Sequence, residues 1–229
     1  MNTRYLILLF VAAAIGLSSC KNNDNVFPKQ VSAFYKIING SSDTLNYYLN
    51  GTRQNNGSSL SPGGATMYYL AVPIGSENFQ FKKNGALDVL FSVPEKLADS
   101  VSYSLYIYGP SADQTFKTTD VFNPDTSTVT DKITQARFVN VSSDMGDLDV
   151  YVGDTLKYQT STFKSSTNFI TFGKGIKDVK VYLAGTKTLA KDTTFTMTDH
   201  TIYTIYSHGL KNGKGATKFN VAFTLNYQN

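Results

Sequence analysis

The 229 residues predict an all-β protein made of two tandem sandwiches, on three observations. The first is alternation. In "FNVAFTLNY", Phe219, Val221, Phe223, Leu225 and Tyr227 alternate with Asn220, Ala222, Thr224 and Asn226. That is the period-two pattern of a strand with one buried and one wet face. The second is composition. Thr, Ser, Asn, Tyr and Gly abound, and glutamate occurs only as Glu77 and Glu95. Such a mixture suits strands and turns better than helices. The third is an internal repeat. At an offset of 100, "VSYSLYIYG" (101–109) answers "TIYTIYSHG" (201–209), and Gly75, Gly85 and Asp99 answer Gly175, Gly185 and Asp199. "INGSSD" (38–43) answers "VNVSSD" (139–144), and "LNYYLNGT" (45–52) answers "LDVYVGDT" (148–155), at slightly larger offsets.

The chain opens with Arg4 and then the uncharged run Tyr5–Leu17, "YLILLFVAAAIGL". A membrane-spanning helix needs ~20 apolar residues, so this run is too short to be one. An apolar core after a positive start, closing on small residues, reads as a secretory signal. It closes on Leu17-Ser18-Ser19-Cys20, and Cys20 is the only cysteine in the chain. This end resembles the bacterial lipobox. The resemblance implies removal of residues 1–19 and lipidation of Cys20, which attaches the mature chain to a membrane. Two acyl chains suffice for stable anchoring. Lys21 follows, where an Asp would favour inner-membrane retention, so the same resemblance implies an outer-membrane lipoprotein on the periplasmic or cell-surface face. Residues 20–30, polar and with one proline, read as the lipidated tether.

The two repeats set the domains at 31–130 and 131–229, with the polar "NPDTSTVTD" (123–131) as junction. In the first, "YYLNGT" and "NFQFKKNG" carry Asn-Gly hairpin signals at 50–51 and 84–85. In the second, "DVKVYLAG" places Val179, Val181 and Leu183 on one face, and "GKG" (173–175) reads as a hairpin. About seven short strands per ~100-residue repeat, with no amphipathic helix, predict two tandem immunoglobulin-like β-sandwich domains. With Cys20 lipidated no internal disulfide can form, so the folded part holds together by burial. Removing the signal takes only Arg4 from the 21 basic residues and leaves +3 against 17 acidic ones. The charges are interspersed, which excludes a nucleic-acid partner.

"ARFVNVSSDMGDLDVYVGDT" (136–155), "FGKGIKDVKVYLAGTKT" and "DHTIYTIYSHG" resemble the secreted bacterial family of domain of unknown function 4397. Arg137, Asn140, Ser142, Asp144, Asp149, Val150, Tyr151 and Val152 stand in the places of its R-x-x-[HN]-x-S-x-D start and D-V-Y-V strand, with Ser143 where the family has proline. The first repeat fits more loosely, with Tyr35 read in place of the arginine and Asn46 in place of the strand aspartate. The resemblance implies an exported β-sandwich module and no activity.

Candidates for chemistry are sparse. Asp144, Asp147 and Asp149 could together offer oxygens to calcium, although their spacing is no EF-hand and turn capping accounts for them equally well. No metal or other cofactor is expected. His200 and His208, the only histidines, fall at either end of one predicted strand, on one face and ~26 Å apart at ~3.3 Å per residue. No catalytic residue is expected, since no G-x-S-x-G, H-E-x-x-H or Walker loop occurs. "DTL" (43–45), "DSV" (99–101), "DTL" (154–156) and "DTT" (192–194) resemble the Bacteroidetes O-glycosylation acceptor, which makes Thr44, Ser100, Thr155 and Thr193 candidate acceptors. Fifteen tyrosines offer stacking faces for a glycan, without the larger platform of a tryptophan. The reading is therefore a non-enzymatic binding, adhesive or scaffold module of the cell envelope, of Bacteroidetes type, with a membrane partner through Cys20 and a glycan or envelope protein as ligand. The alternatives are a fimbrial subunit, which would need an open groove for a donated strand, and a hydrolase, which would need an acidic pair in a cleft.

Overall fold

The structure, a computed structural model, describes residues 31–122 and 133–228. Cys20, the signal and tether segments and the 123–131 junction lie outside the described residues. The first repeat contains β1 (Ser32–Asn39), β2 (Leu45–Leu49), β3 (Thr52–Arg53), β4 (Gly64–Ala65), β5 (Leu70–Pro73), β6 (Gly75–Lys83), β7 (Phe91–Leu97), β8 (Ser102–Ile107) and β9 (Thr115–Asp120). The second contains β10 (Ile133–Asn140), β11 (Leu148–Val152), β12 (Thr155–Ser161), β13 (Ile170–Gly173), β14 (Gly175–Leu183), β15 (Leu189–Met197), β16 (Thr201–His208) and β17 (Asn220–Gln228). Among the described residues there is no α-helix, only two short 3₁₀ turns at Ala112–Gln114 and Gly215–Thr217. The all-β expectation holds.

Each repeat folds into two sheets. In the first, β4-β1-β8-β9, with β5 also on β1, faces β3-β2-β6-β7; in the second, β13-β10-β16-β17 faces β12-β11-β14-β15. The sheet pairs close over separate cores, one with Tyr35, Leu45, Phe79, Phe81 and Leu105, the other with Phe138, Leu148, Val150, Val181 and Ile205. Tyr35 stacks on Phe79 with ring centroids 4.2 Å apart. The first strand of each repeat lies parallel to the penultimate one, β1 on β8 and β10 on β16. The first two strands, β1 and β2, lie in opposite sheets, unlike the constant-type immunoglobulin order, where they are neighbours.

The repeat is visible in the backbone itself. Positive φ recurs at Gly75 and Gly175, Gly85 and Gly185, and Ser100 and His200. Asn50 and Gly51 both have positive φ, the requirement of the type I′ turn that Asn-Gly predicts between β2 and β3. The expected hairpin at 173–175 is not one. β13 pairs with β10, whereas β14 pairs with β11 and β15, so Lys174 carries the chain from one sheet to the other.

A second departure matters more. The face of β17 expected to be wet is not: Thr224 and Asn226 are buried, as is every residue of β16. A third cluster, Ile38, Tyr106, Val139, Val141 and Tyr206, draws on both repeats and lies between the β1–β8–β9 sheet and the β10–β16–β17 sheet. Those two sheets are therefore covered on both sides, and the sandwiches stack in four layers.

Candidate functional site

The most concentrated polar chemistry in the protein sits between the two sandwiches. Lys36, on β1, has no solvent exposure; its Nζ donates to the Thr66 carbonyl at 3.0 Å, the Met67 carbonyl at 3.3 Å and Thr224 Oγ1 of the other repeat at 3.2 Å. Arg137, on β10, is 3 % exposed and donates to Thr204 Oγ1 at 3.0 Å, Tyr106 Oη at 3.2 Å, Thr118 Oγ1 at 3.4 Å and, in a short ion pair, the Asp120 carboxylate. The register makes these two cations equivalent. Lys36 lies opposite Ser104 as Arg137 lies opposite Thr204, and Thr118 opposite Ser104 as Thr224 lies opposite Thr204. Each repeat's cation thus reaches the matched threonine of the other. The arginine position of the family is filled in the first repeat by Lys36, which corrects the assignment to Tyr35; Tyr35 points into the first core and donates to Glu95.

Asp120, 5 % exposed, is the only acid of this network among the described residues. It accepts from Tyr69 Oη at 2.6 Å, Ser104 Oγ at 2.5 Å and Thr118 Oγ1 at 2.9 Å besides Arg137. Asn226 Nδ2 donates to Tyr69 Oη at 2.8 Å and so ties the second repeat to the first. Burial lowers Lys36 to about 8, with Asp120 opposing. Burial works against the Arg137 charge too, but Tyr106 and Asp120 outweigh it and hold the guanidinium above its ordinary range. Burial, with the Asp120 charge behind it, raises Tyr69. At the other end of this face, Tyr206 Oη donates to the Gly63 carbonyl at 2.8 Å. The buried His208 ring presses on the Gly63 Cα, where a Cβ would meet Cε1 at 2.3 Å. Burial lowers His208, aided by Lys191.

The charged and amide side chains of the family motif are spent on structure, whereas the buried Ser142 Oγ has no hydrogen-bond partner. Asn140 Nδ2 donates to the carbonyls of Gly146 and Ser161, as Asn39 Nδ2 does to those of Asp43 and Leu60. Asp149 accepts from the amides of Thr160 (2.7 Å) and Gly185 (3.0 Å), and Asp144 from the amide of Lys211. Asp147 is exposed, and only its carbonyl is engaged, by Ala184. Two of the three aspartates therefore cap turns, and no cluster of three metal-ligating side chains occurs among the described residues. Replacing Asp149 with Ala should lower stability by about 1–3 kcal/mol, the cost of stranding two amides. The loss should be equal with calcium and with EDTA; a calcium-dependent unfolding midpoint in the unaltered protein would overturn the capping role.

The two histidines do not converge: His200 is exposed in the turn before β16, whereas His208 is buried at its far end. Of the acceptor candidates, Ser100 and Thr155 are exposed, and Thr44 and Thr193 are half-buried. Grooves open beside the stacked sheets. One of 610 Å³ is lined by Thr118, Thr119, Arg137, Thr167, Asn168 and Phe169. Two others, of 430 and 300 Å³, flank the segment Met67–Tyr69. Sequence reasoning missed this whole surface, although the unexplained polar face of β17 was its trace.

Among solved structures the chain is similar to a carbohydrate-binding module of family CBM26 from Eubacterium rectale Amy13K in complex with maltoheptaose, at 10 % identity over 83 % of this chain and 96 % of that one, TM-score 0.25. It is also similar to a structure of alpha-glucan binding by a streptococcal virulence factor, at 11 % identity over 85 % and 97 %, TM-score 0.26. Likenesses this loose bear on neither topology nor ligand. No curated protein matches the sequence. The family profile described as domain of unknown function (DUF4397) matches twice, over residues 33–151 and 134–222. The two matches span both sandwiches and most of the chain, and the protein belongs to the DUF4397 family.

Proposed function

We propose that the protein is an outer-membrane lipoprotein, held by a lipid on Cys20, whose two sandwiches serve as a non-enzymatic binding, adhesive or scaffold module of the cell envelope. The observation that carries this reading is the commitment of the charged and amide side chains of the motif to structure. Arg137, Asn140, Asp144 and Asp149 hold strands and turns together, and Asp120 is saturated by four donors. General acid–base chemistry needs a positioned base with room for substrate; Asp120 and Asp149 are buried, and the exposed Asp144 has no second acid or histidine clustered with it among the described residues. β9 and β17 each pair along their length with the preceding strand, which leaves no vacancy for a donated strand among the described residues. Thr44, Ser100, Thr155 and Thr193 belong to the same reading as acceptors for envelope glycans.

Replacing Cys20 with Ser tests the anchor. The variant should leave the membrane fraction or accumulate unprocessed, and normal maturation with outer-membrane fractionation would refute the lipid anchor. The purified protein should turn over no chromogenic ester, glycoside or peptide. Activity that survives repurification and disappears on changing Asp144 or Asp149 to Ala would favour a hydrolase instead.

A further inference from the structure

The 430 and 300 Å³ grooves share one wall, the segment Met67-Tyr68-Tyr69. Tyr68 is 71 % exposed and Met67 72 % exposed, yet the segment that presents them is fixed from beneath. Lys36 Nζ binds the Thr66 and Met67 carbonyls and lies 5.0 Å from the centre of the Tyr69 ring. Tyr69 Oη is held between Asp120 and Asn226. An exposed aromatic ring on an anchored backbone leaves little backbone freedom to be lost on binding, so more of its contact area goes into affinity.

The chemistry of the grooves narrows the occupant. On one side of Tyr68 lie Tyr47 and the amides of Gln54 and Asn56; on the other lie Leu225, Asn226 and Tyr227. Among the described residues neither lining holds a carboxylate, ammonium, guanidinium or imidazole. A charged ligand would find no group of opposite sign in either lining to pair with, the Lys36 ammonium beneath being already bound to the Thr66 and Met67 carbonyls and Thr224. Aromatic faces combined with side-chain amides suit a ligand with apolar C–H faces and neutral hydroxyls. A groove on each side of the ring suits an extended one, and the volumes lie at the lower end of the ~300–1,000 Å³ of known ligand sites.

The second repeat supplies a contrast. There Thr167 holds the place of Thr66, each hydroxyl accepting from a first-strand amide (Phe138 and Ile37), and Arg137 lies over the Phe169 ring as Lys36 does over Tyr69. Asn168 alone therefore stands where the first repeat has Met67 and Tyr68, and the groove beside it includes Arg137. The stacking platform belongs to the first repeat alone, in a stretch (45–75) three residues longer than its counterpart (148–175).

We propose that the Met67–Tyr69 ridge and its two flanking grooves bind a neutral oligosaccharide, with Tyr68 as the stacking platform. This deepens the binding-module reading and rests on it. The test is calorimetric titration of the full-length protein in detergent with maltohexaose, cellohexaose, xylohexaose and mannohexaose, with anionic polygalacturonate as contrast. At least one neutral hexasaccharide should give a saturable isotherm, weakened tenfold or more by Tyr68→Ala and little by Tyr68→Phe or Asn168→Ala. Tyr68 is exposed, so its variants should unfold at the unaltered midpoint. No saturable binding to any of the four, equal binding by Tyr68→Ala, or tighter binding of polygalacturonate would overturn the proposal. Such a failure leaves the Cys20→Ser fractionation and the turnover screen intact, which separates a wrong ligand from a wrong reading of the module.

Discussion

Changing Asp120 to Ala is expected to cost about 3–5 kcal/mol of folding stability, the range for removing one partner of a buried ion pair. Asp120 is the sole acid in the face between the sandwiches among the described residues, and Arg137 is 3 % exposed. Without the carboxylate the guanidinium keeps hydroxyl partners and the Phe169 ring but no charge of opposite sign, and Tyr69, Ser104 and Thr118 lose their acceptor. Urea unfolding followed by tyrosine fluorescence would measure the loss. The double variant Asp120→Leu/Arg137→Met should recover most of it, because an apolar pair of similar volume has no uncompensated charge. An Asp120→Ala midpoint equal to that of the unaltered protein would mean that the two sandwiches do not close on each other in solution.

Stability should also climb between pH 8 and pH 10, contrary to the habit of most proteins. Lys36 sits at about 8 in the fold and near 10.5 when unfolded. Below pH 8 both states hold the proton, and the cost of burying the charge is present in full. Above it the folded state gives up the proton first, the unfolded state binds more protons, and stability rises with pH. The gap corresponds to a gain on the order of 3 kcal/mol across the window. Above pH 10 the slope reverses. Burial raises Tyr69, Tyr106 and Tyr206, so the unfolded chain ionises its tyrosines first. Lys36→Met should flatten the rise and leave the fall. A rise that persists in Lys36→Met would assign it to another group. Toward acid the lowered His208 acts in the usual sense, and its contribution is lost as pH falls below the unfolded value near 6.5.

The alternation in β17 and the Asn-Gly pairs at 50–51 and 84–85 were legible because each depends on a few neighbouring residues and on backbone geometry alone. The repeat was legible because its matched glycines need positive φ. The face between the sandwiches was not, for a physical reason. Thr224 and Asn226 look like residues for water, and only the arrival of Lys36 and Tyr69 from nearly 200 and 160 residues away makes them interior. A buried polar face carries the same letters as a wet one; its partners lie at a sequence distance that periodicity does not span. The placement of Tyr35 in the arginine position failed by one residue. In a strand that error exchanges the two faces, and it hid the pairing of Lys36 with Arg137. The aspartates were read with both of their roles in view, and geometry assigned Asp144 and Asp149 to the backbone.

The reciprocal reach of Lys36 and Arg137 has a consequence for how the molecule holds together. The same patch on each repeat meets its counterpart, which is the isologous arrangement of a twofold homodimer built within a single polypeptide. In a true dimer that contact would depend on dilution. Here covalent connection supplies an effective concentration that, for short linkers, is on the order of millimolar. The contact therefore forms even in a lone copy, where no second molecule need be near. Because the two halves are joined, they were also free to diverge, and Tyr68 against Asn168 is the kind of difference that a symmetric pair of separate chains could not keep.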